Sequence, residues 1–332
     1  MAVTLKDVAA RAGVSRSAVS RTFTEGASVS AKTRAKVEEA AAALGYHPNA
    51  LASSLTTGRT KLVGLVLNNF HNPFFLEVFD LFTRGLQDVG LRPLLVNLSG
   101  ETDPEQSLAM LRQYSVDAAV VASSTLPPRF AAAFAEAGIP VVHSFGRAGS
   151  SRKFPVVGID NVDCGRMAAR ELIRRGYTRI GFMGGPEKAT STRDRLTGFL
   201  DEAGETPGIT VTHSFAGDYR FGPGRDEMRR LIAEGPAEAY FCGDDVLTIG
   251  ALSAARDAGL RVPEDIGLIG LNDMEMSAWD NLALTTIRQP IQEIVEATIE
   301  LVLEMLSEAD HVPASRVFAC EVVERDTLRP LV

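Results

Sequence analysis

The sequence predicts an α/β protein built from an all-helical N-terminal headpiece and a two-lobed, doubly wound α/β core. Three observations carry this. Residues 4–44 hold three capped helical patterns, with a glycine turn between the first two. From Leu62 onward, short apolar runs alternate with helical stretches for more than two hundred residues. The rhythm restarts at Val156, so the strands fall into two series. Alternation of this kind builds parallel sheets with helices on both faces.

In the headpiece, Thr4 caps a helix and Asp7 sits three residues on, where a capping-box acid belongs. Ala12-Gly13-Val14 is a tight break, and Ser15 caps a second helix running to Arg21. Leu5, Val8 and Ala9 pair with Val14, Ala18 and Val19 as an apolar stripe, leaving Arg16, Ser17, Ser20 and Arg21 outward. Two short helices joined by a glycine turn, the second presenting Arg and Ser, suit a major-groove reader; they also suit an ordinary surface hairpin. Ser30 to Leu44 is a third amphipathic helix, with Val37, Ala40, Ala41 and Leu44 inward and Lys32, Arg34 and Lys36 outward.

In the core, the first series predicts strands over 62–67, 93–96, 118–121 and 141–143 and helices over 75–89, 105–114 and 130–137. The second predicts strands over 156–159, 179–183, 210–213, 239–241 and 266–271 and helices over 164–175, 193–203, 224–233 and 245–258. No self-similarity in sequence marks the two series as a repeat.

Composition narrows the function. A chain of 332 residues allows two or three domains. No apolar run approaches the ~20 residues that span a bilayer, and Met1-Ala2-Val3-Thr4 lacks the features of a signal peptide, so a cytoplasmic protein without membrane partners is expected. Cys164, Cys242 and Cys320 are odd in number and far apart, and read as reduced core residues. Five scattered histidines offer no metal spacing, and no cofactor is expected. The net charge of −8 divides unevenly: residues 1–60 hold eight Lys/Arg against four acids, +4, so the rest carries −12. A basic head on an acidic body confines phosphate attraction to the head.

Further motifs make the reading specific. Val3-Thr4-Leu5-Lys6-Asp7-Val8-Ala9, Ala12-Gly13-Val14-Ser15, Val19-Ser20-Arg21, Val29-Ser30-Ala31-Lys32-Thr33-Arg34 and Tyr46-His47-Pro48-Asn49 together resemble the lactose-repressor (LacI/GalR) family without a gap. The likeness covers essentially the whole chain. It implies a helix-turn-helix headpiece over 1–47, a hinge helix and linker over 48–60, and an effector-binding and dimerisation core over 61–332. That core would resemble the type I periplasmic binding proteins, with lobe 1 at about 61–160 and 291–320 and lobe 2 at about 161–290 and 321–332. The implied crossings lie near Asp160, Gln289-Pro290 and Cys320-Glu321. The implied function is a transcriptional repressor binding a double-stranded, pseudo-palindromic operator under the control of a small molecule. The chain shows no extra C-terminal leucine-heptad helix, so a homodimer is expected.

Arg21 is the leading candidate for a base contact, because an arginine can bond guanine O6 and N7 together, worth ~1–3 kcal/mol of discrimination. Arg16 and Ser17 match the family's specificity pair. Leu5, Ser15, Ser20, Thr33 and Asn49 are expected to position the DNA backbone, and Thr4 is a further DNA-binding candidate. The resemblance makes residues 50–55 a hinge that folds on DNA, with Ala52 allowing two hinge helices to approach and Leu55 wedging into a base step; by its surroundings alone Leu55 would be a core residue. One departure is the loop Thr22 to Ser28, where Thr24 replaces a usual asparagine and Glu25 places an acid near the DNA face, leaving that loop's phosphate contact in question.

For the ligand, Asn68 to Phe75 combines amides with aromatics, a pairing that suits a sugar: rings stack on its apolar face while amides bond hydroxyls. Phe74 and Phe75 match effector contacts, although core packing fits either one. Ser124, Ser191, Arg195, Phe241, Asp244 and Asn272 complete the implied cleft, with Asp160 and Asp245 bordering it. Asn272 stands where an aspartate is common, which, with Arg195 retained, favours an acidic ligand such as a sugar acid. Ala189 replaces an arginine of purine-binding relatives and argues against a purine. An enzyme is not expected. The first strand–helix turn, Asn68 to Pro73, has no glycine to cradle phosphate. The Asp244-Asp245 pair suits a helix start better than hydrolysis. A bare periplasmic-type binding protein would lack the headpiece.

Overall fold

The computed structural model describes residues 3–24, 26–47, 54, 58–98, 104–147, 149, 152–308 and 311–331. The chain divides into two compact units, residues 1–61 and 62–332.

Among the described residues, the first unit holds three full helices, α1 (Leu5–Ala12), α2 (Arg16–Thr22) and α3 (Ala31–Leu44). Local chemistry sets each end. The Asp7 carboxylate accepts from the Thr4 backbone N–H at 2.9 Å and from its hydroxyl at 2.7 Å. Gly13 ends α1 at φ 65°, a left-handed position that a side chain would strain. Ser15 Oγ accepts from Ala18 N–H and Ser30 Oγ from Thr33 N–H, each at 3.2 Å. The core is Val8, Ala9, Val19, Val37, Ala40 and Ala41, with Leu5, Val14 and Leu44 packed around it.

The second unit contains two six-stranded sheets. Ten segments make the first: β1 (Leu62–Leu67), α4 (Pro73–Asp88), β2 (Arg92–Asn97), α5 (Pro104–Gln113), β3 (Ala118–Ala122), α6 (Pro128–Glu136), β4 (Val141–Ser144), β5 (Val156–Ile159) and, later, α11 (Ile291–Ser307) and β11 (Arg316–Phe318), whose strand order is β11-β5-β4-β3-β1-β2, all parallel. The second follows from α7 (Asn161–Arg174), β6 (Arg179–Gly184), α8 (Thr190–Gly204), β7 (Thr210–Phe215), α9 (Phe221–Glu234), β8 (Ala239–Phe241), α10 (Asp245–Asp257), β9 (Gly267–Asn272), β10 (Thr286–Arg288) and β12 (Glu321–Val323). Its order is β12-β10-β9-β8-β6-β7, parallel except for the antiparallel edge β12. Both sheets therefore repeat one winding order, second-first-third-fourth-fifth, that the sequence itself does not show.

The chain passes between the sheets three times: from β5 into α7, from β10 into α11, and from β11 to β12. Four elements went unread in the sequence. β10, β11 and β12 have only three residues each, too short for a visible alternation. α11 did carry a signal: Ile291, Ile294, Val295, Thr298, Leu301, Val302 and Met305 recur at helical spacing and are buried, with the helix lying against α4 and β3 to β5. No helix among the described residues is long and apolar enough to cross a membrane.

Candidate functional site

In the headpiece, α2 stands on its buried Val19 and Thr22 and leaves Arg16, Ser17 and Arg21 exposed, with Ser20 half-buried beside them. Positions one turn apart on a helix share a face, so the two arginines and the serines form one polar surface. Its two ends are held. Ser15 Oγ also lies 2.9 Å from Ser17 Oγ. At the other end Arg34 Nη1 donates to the Thr22 carbonyl at 2.9 Å. The sequence placed Arg34 among outward cations; instead it closes the α2 C-terminus, where a positive charge also meets the helix dipole. Thr24 donates its hydroxyl to the Ser20 carbonyl at 2.8 Å, so its hydrogen is committed inside the headpiece. Thr4 and Leu5 begin α1 and Thr33 lies in the first turn of α3. Asn49, Ala52 and Leu55, and with them the hinge, lie outside the described residues.

In the second unit the C-terminal ends of both sets of parallel strands face a narrow cleft. From the first sheet's side come Asn69, Asn72, Phe74, Phe75, Ser124, Thr125, Phe145 and Ile159. Asn161, Arg195, Tyr219, Asp244, Asn272 and Gln289 come from the other.

A run of hydrogen bonds crosses it. Asp244 caps α10, its Oδ1 accepting from Val246 N–H at 2.8 Å. Its Oδ2 accepts from Asn72 Nδ2 at 3.0 Å and from Asn272 Nδ2 at 2.9 Å. Asn272 Oδ1 in turn accepts from Gln289 Nε2 at 2.6 Å. Asn72 is itself positioned as the cap of α4, accepting from Phe74 N–H at 3.1 Å. Asn272 has φ 127° and Asp273 φ 55°, two consecutive non-glycine residues in a costly conformation at the cleft edge. Burial raises the Asp244 carboxyl above its ordinary value, and its hydrogen bonds and the Arg195 charge oppose the rise. Arg195, buried on α8, donates Nε to Asn161 Oδ1 at 2.8 Å and Nη1 to the Gly243 carbonyl. Arg195 is 5% exposed and lines the cleft. The apolar wall is Phe74, Phe75 and Phe145, with ring centroids 5.1, 5.6 and 6.4 Å apart in edge-to-face pairs. Phe74 and Phe75 each line the cleft, and each also belongs to the core.

Four sequence expectations need correction. Asp160 is exposed and caps α7 by accepting from Val162 and Asp163 N–H; Asn161, one residue on, lines the cleft instead. Phe241 lies within β8, fully buried against Phe182 and Phe199 at 5.7 and 6.1 Å. The aromatic on that side is Tyr219, whose hydroxyl meets Thr192 Oγ1 at 2.7 Å. Ser191 is buried one turn before Arg195, does not line the cleft, and its Oγ lacks a hydrogen-bond partner. Asp245 faces away, accepting from Met274 N–H, Ser277 Oγ and Thr286 Oγ1. Tyr219 and Phe145 follow the ends of β7 and β4, so the rule that ligands sit beyond strand C-termini was the signal that could have found them.

Comparison with known proteins agrees with both units. Residues 4–49 match the bacterial regulatory proteins of the lacI family, and residues 169–328 match a periplasmic binding protein-like domain. The chain is 33% identical to the HTH-type transcriptional repressor PurR of Escherichia coli O139:H28 (strain E24377A / ETEC), over 97% of this chain and 96% of that protein. It is 34% identical to the PurR repressor of Proteus mirabilis (strain HI4320), over 91% and 90%. Among solved structures it is similar to the lac repressor dimer bound to operator and the anti-inducer ONPF, with a TM-score of 0.88 and 25% identity over 98% of this chain and 99% of that one. It is also similar to a complex of the transcriptional regulator CelR with cellobiose, with a TM-score of 0.72 and 28% identity over 98% and 99%. With a relative one-third identical along nearly its whole length, the chain belongs to the LacI/GalR family of DNA-binding, effector-responsive transcriptional regulators.

Proposed function

We propose that this regulator is a homodimeric repressor whose cleft takes a small sugar, neutral rather than acidic. The observation that carries the reading is the pairing of Arg195 with Asp244 in one cleft beside a phenylalanine wall. Amides, hydroxyls and a guanidinium edge suit a polyhydroxyl ligand, and the rings suit its C–H face. Of the carboxylates the sequence placed around the cleft, only Asp244 lines it. That one carboxylate offsets Arg195, so the asparagine at position 272 does not leave a lone cation. A sugar acid is the second reading, favoured by the burial that pushes Asp244 toward its neutral form.

A thermal-shift screen of neutral sugars, sugar acids, polyols and nucleosides tests this, since a cleft ligand stabilises by mass action. A neutral sugar should score. Arg195→Ala should weaken it about 10- to 150-fold, the ~1.5–3 kcal/mol of a charged hydrogen bond, with Arg195→Lys as a folding control. Asp244→Asn should weaken a neutral sugar but tighten an acid. A nucleoside hit, or a sugar hit indifferent to Arg195, would overturn the assignment.

Closure of the cleft has a separate contact. Arg147, from the segment between β4 and β5, donates Nη2 to Asp194 Oδ1 of α8 at 2.6 Å. Arg147 is 56% exposed, so the pair is worth at most ~1 kcal/mol. Arg147→Ala should therefore weaken the identified sugar by no more than about fivefold and barely change the melting temperature. A larger loss would assign Arg147 to the ligand itself.

The homodimer reading is supported by exposed apolar side chains. Leu76 and Trp279, each 52% exposed, stand around a surface groove with Pro73, Met274 and Met276, beside the carboxylates of Glu77 and Glu275. In the proposed mechanism each headpiece reads half of a pseudo-palindrome, and ligand-driven lobe movement biases the hinge, a coupling of ~1–3 kcal/mol. Ala52 and Leu55 keep their proposed roles on the resemblance alone. On an operator selected from random duplexes, Arg21→Ala and Arg16→Ala should each cost ~1–3 kcal/mol and relax preference at one base pair. A uniform loss across all sequences would make them phosphate contacts.

A further inference from the structure

Cys164 and Cys320 are 156 positions apart in sequence, yet their Sγ atoms lie 3.6 Å apart. Both stand where the chain passes between the sheets. Cys320 is in the two-residue link from β11, on the edge of the first sheet, to β12, on the edge of the second. Cys164 is in the first turn of α7, just after the passage from β5. Cys164 is buried, whereas Cys320 is half-buried and lines an open groove with Arg288, Gln289, Glu293 and Glu321. An oxidant therefore has a route to one sulfur of the pair. Cys242, fully buried in the core of the second sheet, has no such route.

We propose that Cys164 and Cys320 form a reversible disulfide that staples two of the three interlobe passages and makes the regulator responsive to hydroperoxides. Cys320 sulfur attacks a peroxide oxygen: an S–O bond forms, the O–O bond breaks, and the departing oxygen takes a proton to leave as water or an alcohol. Cys164 sulfur then attacks the Cys320 sulfenic acid: the S–S bond forms, the S–O bond breaks, and the hydroxyl leaves with the Cys164 proton as water. Two electrons pass from the dithiol to the peroxide, and a dithiol reductant reverses the change. The hydrogen bond to Cys320 and burial both raise the Cys164 thiol well above the ordinary range, which gives the first attack to Cys320 and the resolving step to Cys164. Closure to a bond of about 2.05 Å pins the β11–β12 link to α7. Lobe rotation requires that link to turn, so the staple acts on the same movement that the ligand controls.

The test uses full-length protein, reduced, freed of reductant and treated with hydrogen peroxide. Two of the three thiols should become unreactive to an alkylating reagent, with a dithiothreitol-reversible peptide joining Cys164 to Cys320 and Cys242 still reduced. Affinity for an operator selected with the reduced protein should change at least fivefold on oxidation and return with dithiothreitol. Cys320→Ser, at a half-buried site, should fold as the parent and show neither change. The proposal is overturned if no such linkage forms, if Cys320 goes instead to sulfinic acid, or if the linkage forms and operator affinity stays the same.

Discussion

Gly198→Ala should lower the melting temperature of the core by several degrees and weaken ligand binding at least tenfold, although Gly198 touches no ligand. A Cβ at Gly198 would lie 1.8 Å from the Val162 carbonyl oxygen and 3.1 Å from Arg166 N. Reciprocally, a Cβ at Gly165 would lie 2.0 Å from the Arg195 carbonyl oxygen. α7 and α8 therefore pack backbone to backbone through two glycines, and neither obstacle is a side chain that could swing aside. Forcing them apart costs ~1–3 kcal/mol or more, which at ~2–4 °C per kcal/mol is a clear shift in calorimetry. The functional loss follows from what the helices carry: Asn161 begins α7, Arg195 is on α8, and their 2.8 Å bond sets the guanidinium. Gly204→Ala at the end of the same helix meets nothing within 4 Å and should be neutral or slightly stabilising. Equal melting temperatures for the two variants would show that the helices separate without cost, and the packing argument would fail.

Asp245→Ala should be the most destabilising polar substitution in the core, by ~3–5 kcal/mol. Asp245 is completely buried and accepts from Met274 N–H at 3.0 Å, Ser277 Oγ at 2.9 Å and Thr286 Oγ1 at 2.5 Å. It ties the turn after β9 and strand β10 to the start of α10. Alanine strands those donors in a dry interior, at ~1–3 kcal/mol for each that finds no substitute. Asparagine keeps the shape and an acceptor, and should cost much less. The same residue makes stability depend on pH. Burial pushes its carboxyl up to about 7, from an ordinary 3.8. Between those values the folded protein holds a proton that the unfolded chain has released. The contribution is therefore largest below about pH 4, falls by up to ~1.4 kcal/mol per pH unit, and is exhausted above about pH 7. Melting temperatures measured from pH 5 to 8 should show the parent losing its advantage over Asp245→Asn as pH rises. A gap that stays constant from pH 5 to 8 would mean the carboxylate is charged throughout in the folded protein.

The headpiece was legible because its determinants are local. Thr4 reaches Asp7, Ser15 reaches Ala18 and Gly13 breaks the chain between them, all within a few residues. What was missed there, Arg34 closing α2, spans twelve positions. In the core, strand and helix periods were readable over most of both sheets, and the notable lapse was α11, whose helical stripe was present but unread. The cleft was legible only in outline. Asp160 and Asn161 are neighbours at a helix start, yet only Asn161 lines the cleft. Phe241 ends β8 and packs into the core, whereas the aromatic that lines the cleft, Tyr219, lies in the loop beyond β7. The acidic-ligand argument from Asn272 needed to know which carboxylates face inward.

By itself, the sequence determined the class of this protein: a basic helix-turn-helix with its caps, followed by two series of strands and helices whose apolar periods leave few ways to bury them. Only the tertiary structure decided which polar groups meet. Asn72 and Asp244 are 172 positions apart, Cys164 and Cys320 are 156 apart, and Gly198 finds a partner backbone across a helix pair. The physical reason is one of range. Caps and periodicity depend on neighbours along the chain, whereas a hydrogen bond between two lobes depends on how both sheets wind and where their strands end.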